Sequence, residues 1–120
     1  TGLIPLYLKT AYKKEPVFSN SKVVFTIGQN TFKEKIGADF VKKIAIHSSI
    51  KDKDLEPFKE NNNTSMFRGG AAYADAITFG AAKVEKKLSD EFSKVKGKKI
   101  LPFKADSDLT DYLQLYNDLA

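Results

Sequence analysis

The chain has 120 residues, 42% of them hydrophobic and 29% charged, with a formal net charge of +5 from twenty Lys and Arg against fifteen Asp and Glu. That length suits one domain with a modest core, and the absence of cysteine excludes a disulfide framework and a thiolate zinc site. No apolar run approaches the roughly 20 residues of a membrane span. The opening TGLIPLYLKTAYKK puts its charge after its apolar part, the reverse of a secretory signal, and the expected location is the cytoplasm. A first residue of Thr rather than Met leads to the expectation of a processed or excised piece.

Residues 2 to 14 carry Leu3, Leu6, Tyr7 and Ala11 at helical spacing, with Pro5 in the first turn where proline is tolerated. Glu15-Pro16 and Ser19-Asn20-Ser21 form a loop. KVVFTI, 22 to 27, is a continuous apolar run rich in β-branched and aromatic residues, the pattern of a strand buried on both faces of a parallel sheet, and Gly28-Gln29-Asn30 ends it. Residues 37 to 46 predict a helix burying Phe40, Val41, Ile44 and Ala45, broken by His47-Ser48-Ser49. KDKDLEPFKENNNT reads as polar with one helical turn near Leu55, and Thr64 is placed to cap the next helix. That helix runs through Met66, Phe67 and Ala71 to Tyr73, with Gly69-Gly70 allowing close backbone packing.

AITFGA, 76 to 81, is the second buried strand. Residues 82 to 96 place Val84, Leu88, Phe92 and Val95 on one helical face, and Gly97 sits where a C-terminal stop belongs. KKILPF, 98 to 103, is the third strand. Ser107 then caps a final helix expected to turn Leu109, Tyr112, Leu113, Tyr116 and Leu119 inward. The alternation predicts an α/β fold: a small parallel sheet of about three strands flanked by helices. The opening helix has no strand before it, and the sheet has two edges. The chain is therefore read as a single α/β domain spanning 1–120, or a fragment of a larger one, with a partner chain as the other way of completing it.

Ligands of open parallel sheets bind beyond the carboxyl ends of the strands. The first such end offers Gly28, Gln29, Asn30 and Thr31: carboxamides, a hydroxyl and a flexible glycine, suited to hydrogen-bonding sugar hydroxyls but without a general base. The second offers Gly80 and Ala81 at a helix start, and the third Lys104 and Asp106. No GxGxxG or GxxxxGK[ST] pattern is present, which removes the dinucleotide and P-loop readings. His47 is the only histidine, and Ser48 and Ser49 beside it are sequence neighbours, which rarely form a catalytic pair; a helix-end histidine is the simpler reading. Asp52, Asp54 and Glu56 alternate without the spacing or glycine of a calcium loop, so a solvated acidic turn is expected and no metal. Tyr112 and Tyr116 read as core-edge aromatics rather than a sugar platform. Lysine pairs interleaved with acids read as solvated helix faces, and a single arginine, Arg68, argues against nucleic acid. No cofactor and no catalytic residue is identified.

TGLIPLYLKTAYKKEPVFSNSKVVFTI resembles the bacterial glycogen and starch synthases that use nucleotide-glucose donors. That family has a T-G-L-x-P-x-Y-L-K stretch, a strand ending in T-x-H-N, a glycine-containing helix with Y-A-D, and a strand reading T-V-S-P. The matching residues here are Thr1-Gly2-Leu3 with Pro5, Tyr7-Leu8-Lys9, the strand Val23 to Ile27, and Tyr73-Ala74-Asp75 before Ala76-Ile77-Thr78. The likeness covers residues 1 to about 80, is looser afterwards, and is greatest to short Bacteroidetes-type homologues. It implies a Rossmann-like half-domain, the second half of the acceptor-side domain of a two-domain enzyme that moves glucose from a nucleotide-glucose to the end of an α-1,4-glucan. At the T-x-H-N position this chain has Thr26-Ile27-Gly28-Gln29, without the imidazole, and at T-V-S-P it has Thr78-Phe79-Gly80-Ala81. The K-x-G-G donor loop, the His-containing stretch before the first motif and the second domain are absent from the sequence. The resemblance thus implies glucan or nucleotide-glucose as ligand, Gly28, Gln29, Asn30 and Thr31 as substrate-binding residues, and no turnover by this chain alone. The competing expectation is a non-enzymatic glucan-binding or homo-oligomeric assembly module.

Overall fold

The computed structural model describes residues 2–28, 36–37, 39–60, 62–83, 97–103 and 109–120. In chain order its elements are α1 (Ile4–Lys9), β1 (Val24–Ile27), α2 (Phe40–Ile44), α3 (Asp52–Leu55), a 3₁₀ turn η1 (Glu56–Phe58), α4 (Asn63–Tyr73), β2 (Ala76–Phe79), β3 (Lys99–Leu101) and α5 (Thr110–Leu119). They fall into two compact units. One is Thr1–Ser21 with Thr31–Tyr73; the other is Lys22–Asn30 with Ala74–Ala120.

The first unit is helical. Its core is Leu6, Ile44, Ile50, Leu55 and Phe58, with Leu3, Tyr7, Ala11, Phe40, Val41, Met66 and Tyr73 packed around them. All four residues that set the expected register of the opening helix therefore reach this cluster. The helix itself is shorter than 2–14. It stops at Lys9, where the Thr10 hydroxyl donates to the Leu6 carbonyl at 2.7 Å, a local side-chain bond that competes with helix propagation. Residues 11 to 20 continue as turns, held by bonds such as Tyr12 N–H to Tyr7 O at 3.0 Å and Phe18 N–H to Glu15 O at 2.9 Å. The opening helix packs on α4, and Gly2 makes that approach possible: a Cβ there would stand 2.6 Å from the Met66 carbonyl oxygen.

The segment 51–64, expected to be polar with one helical turn near Leu55, forms that turn as α3 and supplies two of the five core residues, Leu55 and Phe58, with Ile50 just before it a third. The cap of α4 is Asn62 rather than Thr64. Asn62 Oδ1 accepts the Ser65 N–H at 2.8 Å, and Ser65 Oγ accepts the Asn62 N–H at 3.1 Å, a reciprocal box that satisfies two end donors. Gly69 does what a glycine pair inside a helix suggests: it lets the Phe58 ring lie against the α4 backbone. Ala45, expected in the core, is exposed past the end of α2.

The second unit is a three-stranded parallel sheet of order β1-β2-β3. The central strand β2 is buried throughout, whereas β1 alternates, with Phe25 and Ile27 buried and Thr26 exposed. Burial on both faces thus holds for the central strand and not for β1, whose polar Thr26 faces outward. Residues 82 and 83 are helical; the rest of the helix expected over 82–96, with its stripe Val84 to Val95, lies outside the described residues. Gly97 has φ +79°, the left-handed conformation of a helix stop.

The final helix shows a different buried face from the expected one. In α5 Leu115 is buried and Tyr112 and Leu119 are half-buried, while Leu109, Leu113 and Tyr116 are exposed at 66%, 62% and 51%. Both stripes are apolar at helical spacing, and packing against β3 selects one of them. Ser107, its expected cap, lies outside the described residues.

Candidate functional site

The carboxyl ends of β1 and β2 meet in register, Val24 with Ala76 through Ile27 with Phe79. The ladder runs one bond further, Gly80 N–H to Ile27 O at 2.9 Å. This brings the two post-strand glycines together. A Cβ on Gly80 would lie 3.6 Å from Gly28 Cα and 3.4 Å from Ile27 O, while a Cβ on Gly28 would meet nothing within 4 Å. The two glycines leave the carboxyl ends of β1 and β2 without side chains at these positions, termed the notch, with Thr26 Cγ2 3.6 Å from the Gly80 Cβ position and nothing within 4 Å on the Gly28 side. Beneath it, the Thr26 and Thr78 hydroxyls are 2.7 Å apart, one donating to the other, with Thr78 buried. Ala81 is buried at the start of the helical turn at 82 and 83.

Of the expected ligand residues, Gly28 is placed at this notch, half-buried. Gln29, Asn30 and Thr31 lie outside the described residues, as do Lys104 and Asp106. Gly80 sits directly beside Gly28, a juxtaposition that strand register alone would have given.

The other candidates resolve into structural roles. His47 is exposed three residues past α2, where its Nδ1 accepts the Ser49 N–H at 3.1 Å and lies 2.8 Å from Ser49 Oγ. In that geometry Nδ1 is unprotonated and the ring closes a turn. The Asp52-Asp54-Glu56 series is helical rather than a loop. Asp54 Oδ2 accepts the Lys51 N–H at 2.8 Å at the start of α3, and Glu56 pairs with Lys59. Among the described residues no group of three or more His, Asp and Glu is arranged to hold a metal ion. Arg68 Nη1 is 3.0 Å from Glu60 Oε1, and the guanidinium holds the Glu60 carboxyl below its usual range.

The motif residues read from the resemblance also hold the scaffold. The Tyr7 hydroxyl donates to the Ile44 carbonyl at 3.1 Å, and burial, then the neighbouring Tyr12, raises its pKa. Lys9 Nζ donates to Ser21 O at 3.2 Å. The Tyr73 hydroxyl donates to Asp54 O at 2.9 Å; burial and then the Asp54 charge push its pKa up to about 12. The Ala74 carbonyl accepts from Lys98 Nζ. Asp75 clasps the start of β1: its Oδ2 accepts the Val23 N–H at 2.7 Å, and its own N–H donates to Val23 O at 2.8 Å.

The model of the starch synthase catalytic domain family matches residues 1–101, a segment that begins at the α1 motif and ends with β3. The chain belongs to that family. Among curated proteins it is similar to the glycogen synthase of Pseudothermotoga lettingae, 30% identical over 79 residues covering 65% of this chain and 16% of that protein. It is also similar to the glycogen synthase of Photobacterium profundum, 35% identical over 77 residues covering 64% of this chain and 15% of that protein. The matched segment is therefore about a sixth of the length of these synthases. No solved structure matches the chain at a significant level. The α/β class and the parallel sheet expected of a starch synthase segment are present, with α5 falling beyond the matched range. Among the described residues no helix is long and apolar enough to cross a membrane.

Proposed function

We propose that this chain is a portion of the acceptor-side Rossmann-like domain of a glucosyltransferase, one whose whole form moves glucose from a nucleotide-glucose to an α-1,4-glucan. Its contribution is a scaffold and a weak glucan subsite rather than turnover. The observation that carries the reading is the Gly28–Gly80 notch at the carboxyl ends of β1 and β2, inside the segment matched by the starch synthase family. Open parallel sheets place their ligands at that position. Gln29, Asn30 and Thr31 follow Gly28 in the sequence and bring donors and acceptors suited to sugar hydroxyls. Among the described residues the strand ends present no imidazole and no cluster of charges, and stabilising a glucosyl transition state requires charges and donors fixed around the reacting carbon.

The test is an amide NMR titration of the 120-residue chain with maltoheptaose and then ADP-glucose, paired with a glucose-transfer assay on glycogen. Shifts centred on Gly28, Gln29, Asn30 and Thr31 with maltoheptaose, and no transfer, are the expected result. Measurable transfer by the chain alone would overturn the inactive part. A well-dispersed spectrum unmoved by maltoheptaose would overturn the subsite.

A further inference from the structure

Among the described residues two apolar surfaces are exposed, and the charges beside them in the sequence are opposite in sign. The first is a groove of about 300 Å³ lined by Ile4, Tyr7, Leu8, Tyr12 and Phe18. Ile4, Tyr12 and Phe18 are exposed at 54%, 43% and 38%, and the Tyr12 and Phe18 rings meet edge-on with centroids 6.3 Å apart. Cations flank it. Lys9 follows Leu8, and the exposed pair Lys13-Lys14 follows Tyr12, against one acid, Glu15. The wall is almost wholly apolar, so it suits aliphatic or aromatic side chains and not a sugar, which needs polar partners.

The second surface is the outward stripe of α5, Leu109, Leu113 and Tyr116, at positions i, i+4 and i+7. Its charges are Asp111 and Asp118, with no basic residue on the helix. Asp118 is exposed, with Lys99 Nζ at 3.7 Å and Gln114 Nε2 donating to it. This helix lies beyond residue 101, where the starch synthase family match ends. An acidic helix with an open apolar stripe is the kind of ligand that a basic-rimmed apolar groove accepts.

We propose that the α1 groove of one copy of this chain takes the outward face of α5 of a second copy. Leu113 and a neighbour on the stripe enter the groove, and Asp111 and Asp118 face the lysines at its edge. The contact is heterologous, since the two copies offer different surfaces. A three-residue stripe is far smaller than the roughly 800 Å² per partner of a stable interface, so the association is weak, rapidly exchanging and sensitive to salt.

Sedimentation velocity of the full 120-residue chain over a wide concentration range tests this. The weight-average mass is expected to rise above that of the 13.4 kDa monomer with concentration, and to fall back in high salt. Leu113→Asp should abolish the rise, as should the pair Lys13→Glu and Lys14→Glu; all three positions are exposed, and far-UV CD checks that the fold is kept. Tyr116→Asp replaces the first variant if it fails to fold. The deciding step is mixing. A chain with a damaged helix face still offers an intact groove, and a chain with a damaged groove rim still offers an intact helix. Equal amounts of the two variants should therefore recover association, limited to a heterodimer. A monomer at every concentration, self-association that survives either change, or a mixture that recovers nothing would each overturn the proposal.

Discussion

Gly69→Ala should destabilise the protein even though it replaces a poor helix former with the best one. Taken alone, the exchange inside a helix favours folding by about 1 kcal/mol. Here the added Cβ would stand 2.0 Å from Phe58 Cε1, 2.2 Å from Cζ and 2.6 Å from Cδ1. Carbon atoms rest near 3.5 Å, so the ring must retreat by about 1.5 Å. Phe58 is fully buried and packed with Leu6, Ile44, Ile50 and Leu55, which leaves it little room to retreat. Overpacking of this kind costs about 1–3 kcal/mol, and three overlapping ring atoms put it at the upper end. Subtracting the helix gain leaves a net loss of about 2 kcal/mol, which at a urea m-value of about 2 kcal/mol/M lowers the midpoint by about 1 M. The double variant with Phe58→Leu isolates the cause: shortening the ring should recover at least about 1 kcal/mol of the Gly69→Ala penalty as coupling energy. An unchanged or raised midpoint for Gly69→Ala would refute the reasoning, as would an equal penalty in both backgrounds.

Gly97→Ala places a Cβ in the left-handed region at φ +79° with open space around it, so it should cost about 1 kcal/mol from backbone strain alone, seen as a lower urea midpoint at constant m-value. Asp75→Ala removes the acceptor of the Val23 N–H and should cost about 1–3 kcal/mol, with faster amide exchange at Val23 as its local signature. Tyr73 carries a hydroxyl pKa raised from 10.0 to about 12 in the folded chain. The folded state therefore holds this proton more tightly than the unfolded state. The stabilisation is complete below pH 10 and is lost as the pH rises from about 10 through about 12. Replacing Tyr73 with Phe should flatten stability against pH across that window, and a slope equal to the parent's would refute the assignment.

The element order was legible because hydrophobic period separates strands from helices locally: VVFTI and AITF are continuous runs, and the α4 apolar residues recur at helical spacing. What the period cannot decide is which of two apolar stripes faces inward. In α5 both stripes share Tyr- and Leu-rich composition, and only the packing against β3 chose Leu115. The helical turn near Leu55 was legible, but the burial of Leu55 and Phe58 was not, for a related reason. Its charges are correctly on the outside, but two apolar residues three apart suffice to anchor a helical turn and a 3₁₀ turn, and such short elements carry almost no periodic signal. The place of Gly28 at the carboxyl end of β1 was legible from the apolar run before it. Its companion Gly80 required the parallel register to bring residues 52 positions apart to the same end.

The substitution that separates scaffold from chemistry is at Gly28, the position that the resemblance to the T-x-H-N stretch pairs with its histidine. Two explanations make opposite predictions for Gly28→His. If the backbone there required glycine, the change would strain the turn and cost 1 kcal/mol or more. The structure favours the other outcome: Gly28 does not have the positive φ of Gly97, and a Cβ on it meets nothing within 4 Å. Gly28→His should therefore fold with a midpoint within about 0.5 kcal/mol of the parent. It should also enlarge the amide shifts seen with maltoheptaose, because an imidazole adds a hydrogen-bonding group at the mouth of the notch. It should not create glucose transfer, since one imidazole does not assemble the charges that a transferring site needs. A folded variant with unchanged glucan shifts would mean the notch does not face the sugar. A strongly destabilised variant would mean that glycine serves the fold at this position rather than marking the loss of a chemical group.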